Sequence, residues 1–257
     1  MVDCQVSQAN RSQKLITTVI IERCHFCGST DIVRNGQDYK GDQKFHCHSC
    51  RGYGTLNPQT KYSPTAKEQV LRAYQERASM RGIQRIFGVV QRTLRRWLVE
   101  AEAALSKLVD TLAPVQADDV LELDELWSFV LKKSNQQWVW IALCRRTRQI
   151  VAYYVGDRSD ESCRQLWERV PQAYKRCLTY SDFWGAYQRV IDTGQHQSVG
   201  KESGQTAHVE RWNNTLRQRL ARFVRQTLSF SKSEQMHELV LKLFIHRYNL
   251  DIQSALS

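Results

Sequence analysis

VLELDELWSFVL, residues 120–131, alternates apolar and polar side chains in the period of a β-strand, yet Asp124 stands in the middle of it. An acid has little reason to sit there unless the chain uses it. QWVWIALCRR (137–146) and IVAYYVGD (150–157) follow at hairpin spacing and predict two further antiparallel strands. SDESCRQLWERVPQAY (159–174) predicts a helix opened by Ser159 or Asp160, RCLTYSD (176–182) a short strand, and FWGAYQRVI (183–191) another helix. TAHVERWNNTLRQRLARFVR (206–225) predicts one strongly basic helix. SKSEQMHELVLKLFIHRYN (231–249) predicts a last one, with Ser231 and Glu234 at capping-box spacing and Met236, Leu239, Val240, Leu243 and Phe244 on one stripe. Three strands, then helix, strand and helices, describe an α/β sheet covered by helices over residues 118–257.

Working outward, residues 62–112 are nearly free of Gly and Pro and predict helices. TAKEQVLRAYQER (65–77) places Val70, Leu71 and Tyr74 on one side. A short helix, a break at Gly88 and a longer helix then have the form of a helix-turn-helix. On the longer helix Val90, Leu94, Trp97, Leu98, Ala101 and Leu105 form a stripe, and Gln91, Arg92, Arg95 and Arg96 lie off it. From Arg81 through Arg85 to Arg96 there are five arginines and no acid, which suits contacts to phosphate and guanine, although a helical hairpin with a solvated basic face has the same pattern. Val89-Val90 stands where Ser or Thr is the more usual cap. A stripe through Leu98, Leu105, Leu108 and Leu112 suits either helix-mediated self-association or core.

Residues 20–58 carry Cys24-x2-Cys27 and Cys47-x2-Cys50 around a turn-rich insert, ending at Asn57-Pro58. Two matched knuckles let four thiolates surround one structural Zn²⁺, with a hairpin between them, in the manner of a zinc ribbon. His25, His46 and His48 lie close enough to replace one cysteine, but four thiolates is the simpler set. Cys4, Cys144, Cys163 and Cys177 are scattered and suit ordinary buried thiols in a reducing compartment.

The bulk composition points to a nucleic-acid partner. Of 257 residues 42% are hydrophobic, with seven Trp and eight Phe, enough for a folded core. Residues 1–113 hold 17 Lys/Arg against 10 Asp/Glu, a net +7, and the rest 20 against 16, a net +4. A positive excess spread over both halves favours a polyanion, with DNA foremost. No apolar run approaches the ~18 residues that span a bilayer, and LITTVII (15–21) is short and lacks a small-residue cleavage pattern. The expectation is a cytoplasmic protein with no membrane partner.

In 206–225, Glu210 is one acid among Arg211, Arg217, Arg219, Arg222 and Arg225. Arg217 follows Glu210 by seven residues, ~700° of helical rotation, so the two share a face. Asp124, Asp182 and Glu210 are the carboxylates that could converge on metal ions. The alternatives are Glu122 or Glu125 in place of Asp124, Asp182 as a helix cap, and Glu210 as a partner of Arg217 or Asn214. LDELWSFV, YSDFWGAY and HVERWNNTLRQRLARFVRQTLSFSKSEQMHE resemble the three acidic motifs of the insertion-sequence-one (IS-one) transposase family, and the likeness extends to the ribbon and the helix-turn-helix. It implies a ribonuclease-H-like fold, with which the element order is compatible, and Asp124, Asp182 and Glu210 as a DDE triad holding two Mg²⁺. It further implies terminal-inverted-repeat DNA as partner, strand cleavage followed by strand transfer into target DNA, a homo-oligomer of at least two copies, and a full-length chain often made by frameshifting. Arg217, Arg219, Arg222 and Arg225 would then hold phosphates near the cut. A non-catalytic DNA-binding regulator and a ribonuclease-H-like nuclease are the competing readings.

Overall fold

The computed structural model describes residues 20–56, 62–191 and 194–256, and the chain divides into two compact units, one ending at Ser63 and one from Pro64 to Ser257. Asn57-Pro58, Cys4 and the first five residues of LITTVII lie outside the described residues.

The first unit is a three-stranded antiparallel sheet, β1 (Ile32–Gln37), β2 (Gln43–Cys47) and β3 (Tyr53–Thr55), in that order. The expected hairpin is present and gains a third strand. Gly36 and Gly41 hold φ of 70° and 90° beside the β1–β2 turn, a left-handed region in which a Cβ is strained.

The second unit begins with three helices, α1 (Pro64–Tyr74), α2 (Met80–Phe87) and α3 (Gln91–Ala103). Ser79 Oγ accepts from the Gly82 amide at 2.9 Å to open α2, and Gly88, at φ 67°, closes it. No side chain caps Val90 at the start of α3. Val90 is exposed and Val89 is buried in its place, so the apolar stripe begins one residue earlier than the spacing suggests. Nor is there a continuous leucine stripe to Leu112: α3 ends at Ala103, and Leu108–Thr111 form a separate 3-10 turn. These helices are packed into the second unit. The Arg77 amide donates to the Arg219 carbonyl, and Lys242 of the last helix pairs with Glu102 of α3.

The sheet that follows has five strands: β4 (Val120–Phe129), β5 (Gln136–Cys144), β6 (Ile150–Gly156), β7 (Leu178–Ser181) and β8 (His196–Ser198). Their order is β6-β5-β4-β7-β8, antiparallel from β4 through β6 and parallel from β4 through β8. The three-residue β8 lacks a sequence signal strong enough to read. α4 (Asp160–Arg169), capped by Ser159, and α5 (Gly185–Val190) cover one face over Leu121, Leu123, Trp140 and Ala142. α6 (Ala207–Arg219) and α7 (Glu234–Leu256) cover the other. With helices on both sides, β4 is buried throughout much of its length, which is why its alternation is imperfect.

The basic stretch 206–225 is not one helix. α6 stops at Arg219, Leu220 is extended, and Ala221–Phe223 make a 3-10 turn that buries Phe223 against the His237 ring at 4.5 Å between centroids. Arg222 and Arg225 therefore leave the helix. At α7 the cap is Ser233, whose Oγ accepts from the Met236 amide at 3.2 Å. Ser231 is instead buried, where Val130 bridges to it and the Leu131 amide donates to its carbonyl.

Candidate active site and zinc centre

In the ribbon, Cys24 Sγ lies 3.7 Å from Cys50 Sγ, and Cys27 Sγ 3.6 Å from Cys47 Sγ. All four sulfurs fall within 4.8 Å of one another. Tetrahedral Zn²⁺ with bonds of ~2.3 Å sets its sulfurs ~3.8 Å apart, so the four thiols fit the ion as they stand. The Cys47 thiol is pulled down to about 7, first by a backbone hydrogen bond from Cys50 and then by the neighbouring sulfurs, while Cys27 and Cys50 are pushed up within the same cluster. Without metal the four thiols therefore share their protons, and one is the readiest thiolate. The three candidate histidines are not among these ligands: His48 faces Asp31 at 3.1 Å and His25 packs on Phe26.

In the second unit, β7 is only four residues long. Its parallel register pairs Glu122 with Tyr180, so two residues further on Asp182 comes alongside Asp124, just where β7 ends. Beyond that point β4 has an open flank, and a pocket of about 340 Å³ occupies it. Asp124, Glu125, Asp182, Glu210, Asn213 and Arg217 line it, with Lys201, Arg158 and Arg225 supplying further positive charge. Carboxylate oxygens of Asp124, Glu125 and Asp182 lie within 4.8 Å of one another; Glu210 faces the same pocket but is outside that tight group. Thr206 Oγ1 donates to Glu210 at 3.3 Å. Asp182 also accepts from the Trp184 amide at 2.9 Å, so it caps the turn into α5 while facing the pocket.

Glu122 and Glu125 are the alternatives to Asp124 on the same strand, and their surroundings separate the three. Glu122 is wholly buried and fully engaged. It accepts from Arg145 Nε at 2.7 Å, from the His208 and Val209 amides at 2.9 and 3.0 Å, and shares a 2.6 Å contact with His208 Nδ1. Those two amides belong to the first turn of α6, which its own Thr206 does not cap by a side chain, so Glu122 is the cap supplied from the sheet. Glu125 points to the opposite face from Asp124. It accepts from Arg158 Nε at 2.8 Å and Tyr187 Oη at 2.9 Å, and the Arg158 guanidinium lies between the Trp138 and Trp184 rings, 4.6 and 4.0 Å from their centroids. Sequence reasoning had no signal for Arg158, Tyr187 or Asn213, because each acts through a contact distant in the chain.

Burial first, then the charges of Glu125 and Asp182, push Asp124 up to about 7; burial and Asp182 likewise raise Glu125. Asn213 Nδ2 donates to Asp124 at 2.7 Å. Three carboxylates gathered this tightly are a donor set of hard oxygens that suits divalent ions. Arg217 is lowered by burial and by Arg225, and it is anchored on the carbonyls of Phe223 and Trp127. Arg219 and Arg222 do not line this pocket: Arg219 pairs with Glu76, and Arg222 Nε donates to Tyr74 Oη at 2.6 Å. Trp212 is packed between Phe244 and Tyr248. Among the described residues no helix is long and apolar enough to cross a membrane.

Residues 119–250 match the IS1 transposase family, and residues 16–51 match the InsA N-terminal domain, a zinc ribbon. Similar proteins include the insertion element iso-IS1n protein InsB of Shigella dysenteriae, 41% identical over 129 residues, which are 50% of this chain and 95% of that protein. The insertion element IS1 protein InsB of Shigella flexneri is 34% identical over 125 residues, 49% of this chain and 92% of its own length. The insertion element IS1 4 protein InsB of Escherichia coli (strain K12) is 32% identical over 125 residues, 49% and 72% of the two chains. A sheet that brings three acids to one basic-rimmed pocket, a four-thiol ribbon and these matches agree: the chain belongs to the IS1 transposase family.

Proposed function

We propose that the protein is a DDE transposase that binds the terminal inverted repeats of a mobile element and carries out metal-dependent strand cleavage and strand transfer. The observation that supports this reading is the pocket at the end of β7, lined by Asp124 from a strand, Asp182 from a strand end and Glu210 from a helix. The sheet order, three antiparallel strands joined to two parallel ones between helical layers, supports a ribonuclease-H-like core for residues 118–257. The α2–Gly88–α3 arrangement supports a helix-turn-helix over 62–112, behind a zinc ribbon over 20–58.

Divalent cations, two Mg²⁺ in this reading, supply Lewis-acid charge for the attacking and leaving oxygens of a phosphodiester. Asp124, Asp182 and Glu210 hold them. Asn213 fixes the Asp124 carboxylate, and Arg158 with Tyr187 fixes Glu125 beside it. Arg217 shares the Glu210 face of α6, and with Arg225 and Lys201 it holds the phosphate whose charge grows in the transition state. Two element ends must be joined to one target, so the working species is a homo-oligomer acting on cytoplasmic DNA.

The test is nicking of a duplex carrying the element's end in the presence of Mg²⁺, with strand-transfer products scored separately. Asp124→Asn, Asp182→Asn and Glu210→Gln are each expected to cut the rate at least about 100-fold while leaving end binding intact. Undiminished cutting by Glu210→Gln removes that residue from the triad. A wild-type protein that binds ends but never nicks them is a regulator, and one that nicks without strand transfer is a nuclease.

A further inference from the structure

The second unit has another groove, of about 540 Å³, between α2 and α3 on one side and residues 220–240 on the other. Arg81, Arg85 and Arg95 line the first wall, Arg222 and Lys232 the second, and no Asp or Glu lines either. Basic residues around it are neutralised: Arg96 by Glu100, Arg219 by Glu76, Lys242 by Glu102, Arg247 by Glu68. Arg81, Arg85, Arg95 and Lys232 make no ion pair among the described residues. Positive charge without a carboxylate partner thus lines both walls of one concavity, where it repels itself at a cost to folding and focuses a positive field outward.

Two of the contributors are held in place. Arg222 is pinned by Tyr74 Oη at 2.6 Å and reaches Ser231 Oγ at 3.4 Å. Lys232 has an exposed side chain on a fixed backbone, because the preceding Ser231 is buried, hydrogen-bonded to His237 Nδ1 at 2.8 Å, and accepts from the Leu131 amide. Gln91 and Arg95, on the helix expected to read DNA, look into the same groove.

We propose that this groove seats the sugar-phosphate backbone of duplex DNA, gripped by the helical module and the Leu228–Ser233 segment together. The segment beyond α6 then divides its basic residues between two tasks: Arg225 faces the catalytic pocket, while Arg222 and Lys232 face the groove. The inference rests on DNA being the substrate but not on the identity of the catalytic acids.

The experiment measures binding of the zinc-loaded full chain to a fluorescent duplex of arbitrary sequence across a salt series, without Mg²⁺, so that no strand is cut. Lys232→Ala and Arg85→Ala are each expected to weaken binding and lower the slope of log K against log salt by about 1, the signature of one phosphate no longer neutralised. Lys232→Arg is expected to restore the slope. Arg176→Ala removes an exposed charge outside the groove and is expected to leave it unchanged. If Lys232→Ala and Arg85→Ala behave like Arg176→Ala, the groove is not a DNA seat. Absence of nicking in the Mg²⁺ assay bears on the acids, whereas an unaltered slope bears only on the groove.

Discussion

In the ribbon only Cys24, Phe45 and Cys47 are buried apolar side chains among the described residues, and two of those three are sulfur ligands. In the second unit Leu121, Leu123, Trp140, Ala142 and their neighbours are fully enclosed between a five-stranded sheet and α4 and α5. The same chain therefore solves folding twice, once with a metal and once with apolar area. The lesson is that damage should be local in kind: chelators threaten one unit and cavities the other. All seven tryptophans lie between Trp97 and Trp212, so tryptophan emission reports on the second unit alone.

The largest effect should come from removing zinc. Structural zinc contributes apparent binding energies of about 10 kcal/mol or more, far beyond what three buried side chains can supply. Chelation, or Cys47→Ser, is expected to abolish amide protection across β1 and β2 while leaving the tryptophan-reported melting midpoint in place. A midpoint that falls with the metal would mean that the units stabilise each other.

Next in size is Glu122→Ala. It removes the cap of α6 and strips Arg145 of its buried partner, for an expected loss of about 3 kcal/mol or more in the second unit. Zinc content should not change. If urea unfolding followed by tryptophan emission shifts by less than about 1 kcal/mol, the cap is not what Glu122 provides.

Glu122 and Asp124 also mark the limit of what the sequence discloses. Alternation located β4 through β6, a cap located α4, and cysteine spacing located the paired knuckles, because those features are local. The sequence could not tell which acid on one strand face is structural, since that depends on Arg145 and α6, which lie 23 and some 85 residues away. It read 206–225 as one helix because no Pro or Gly interrupts it; the break at Leu220 comes from burying Phe223 against His237, a tertiary demand. Asp124, Asp182 and Glu210 were singled out by their places mid-strand, at a strand end and on the basic helix, and by the motif resemblance. Their geometry required β7 to be short, and the role of Glu125 required Arg158 and Tyr187.

The smallest effect is a pH dependence of the second unit, and it sharpens the comparison because no buried histidine lies in the ribbon among the described residues. His237 is buried between Ser128 and Ser231. Ser128 Oγ donates to the Gln137 carbonyl, so His237 Nε2 donates to Ser128 and its Nδ1 accepts from Ser231. That neutral tautomer satisfies both ends and leaves no room for a second proton. Burial, then the Arg222 charge, pushes the imidazole down to about 4 from 6.5. Between those values only the unfolded chain takes up the proton. Stability is therefore intact above 6.5 and drains away as the pH falls toward 4, by about 3 kcal/mol at the limit. His237→Asn lowers stability at neutral pH but abolishes this slope, so the gap between wild type and variant in urea unfolding should narrow as the solution is acidified. His196 and His246, which are also lowered by burial, titrate in both proteins and cancel in the difference. Parallel curves for the two proteins would mean that His237 accepts a proton without leaving the folded state, and the tautomer assigned to it would be wrong.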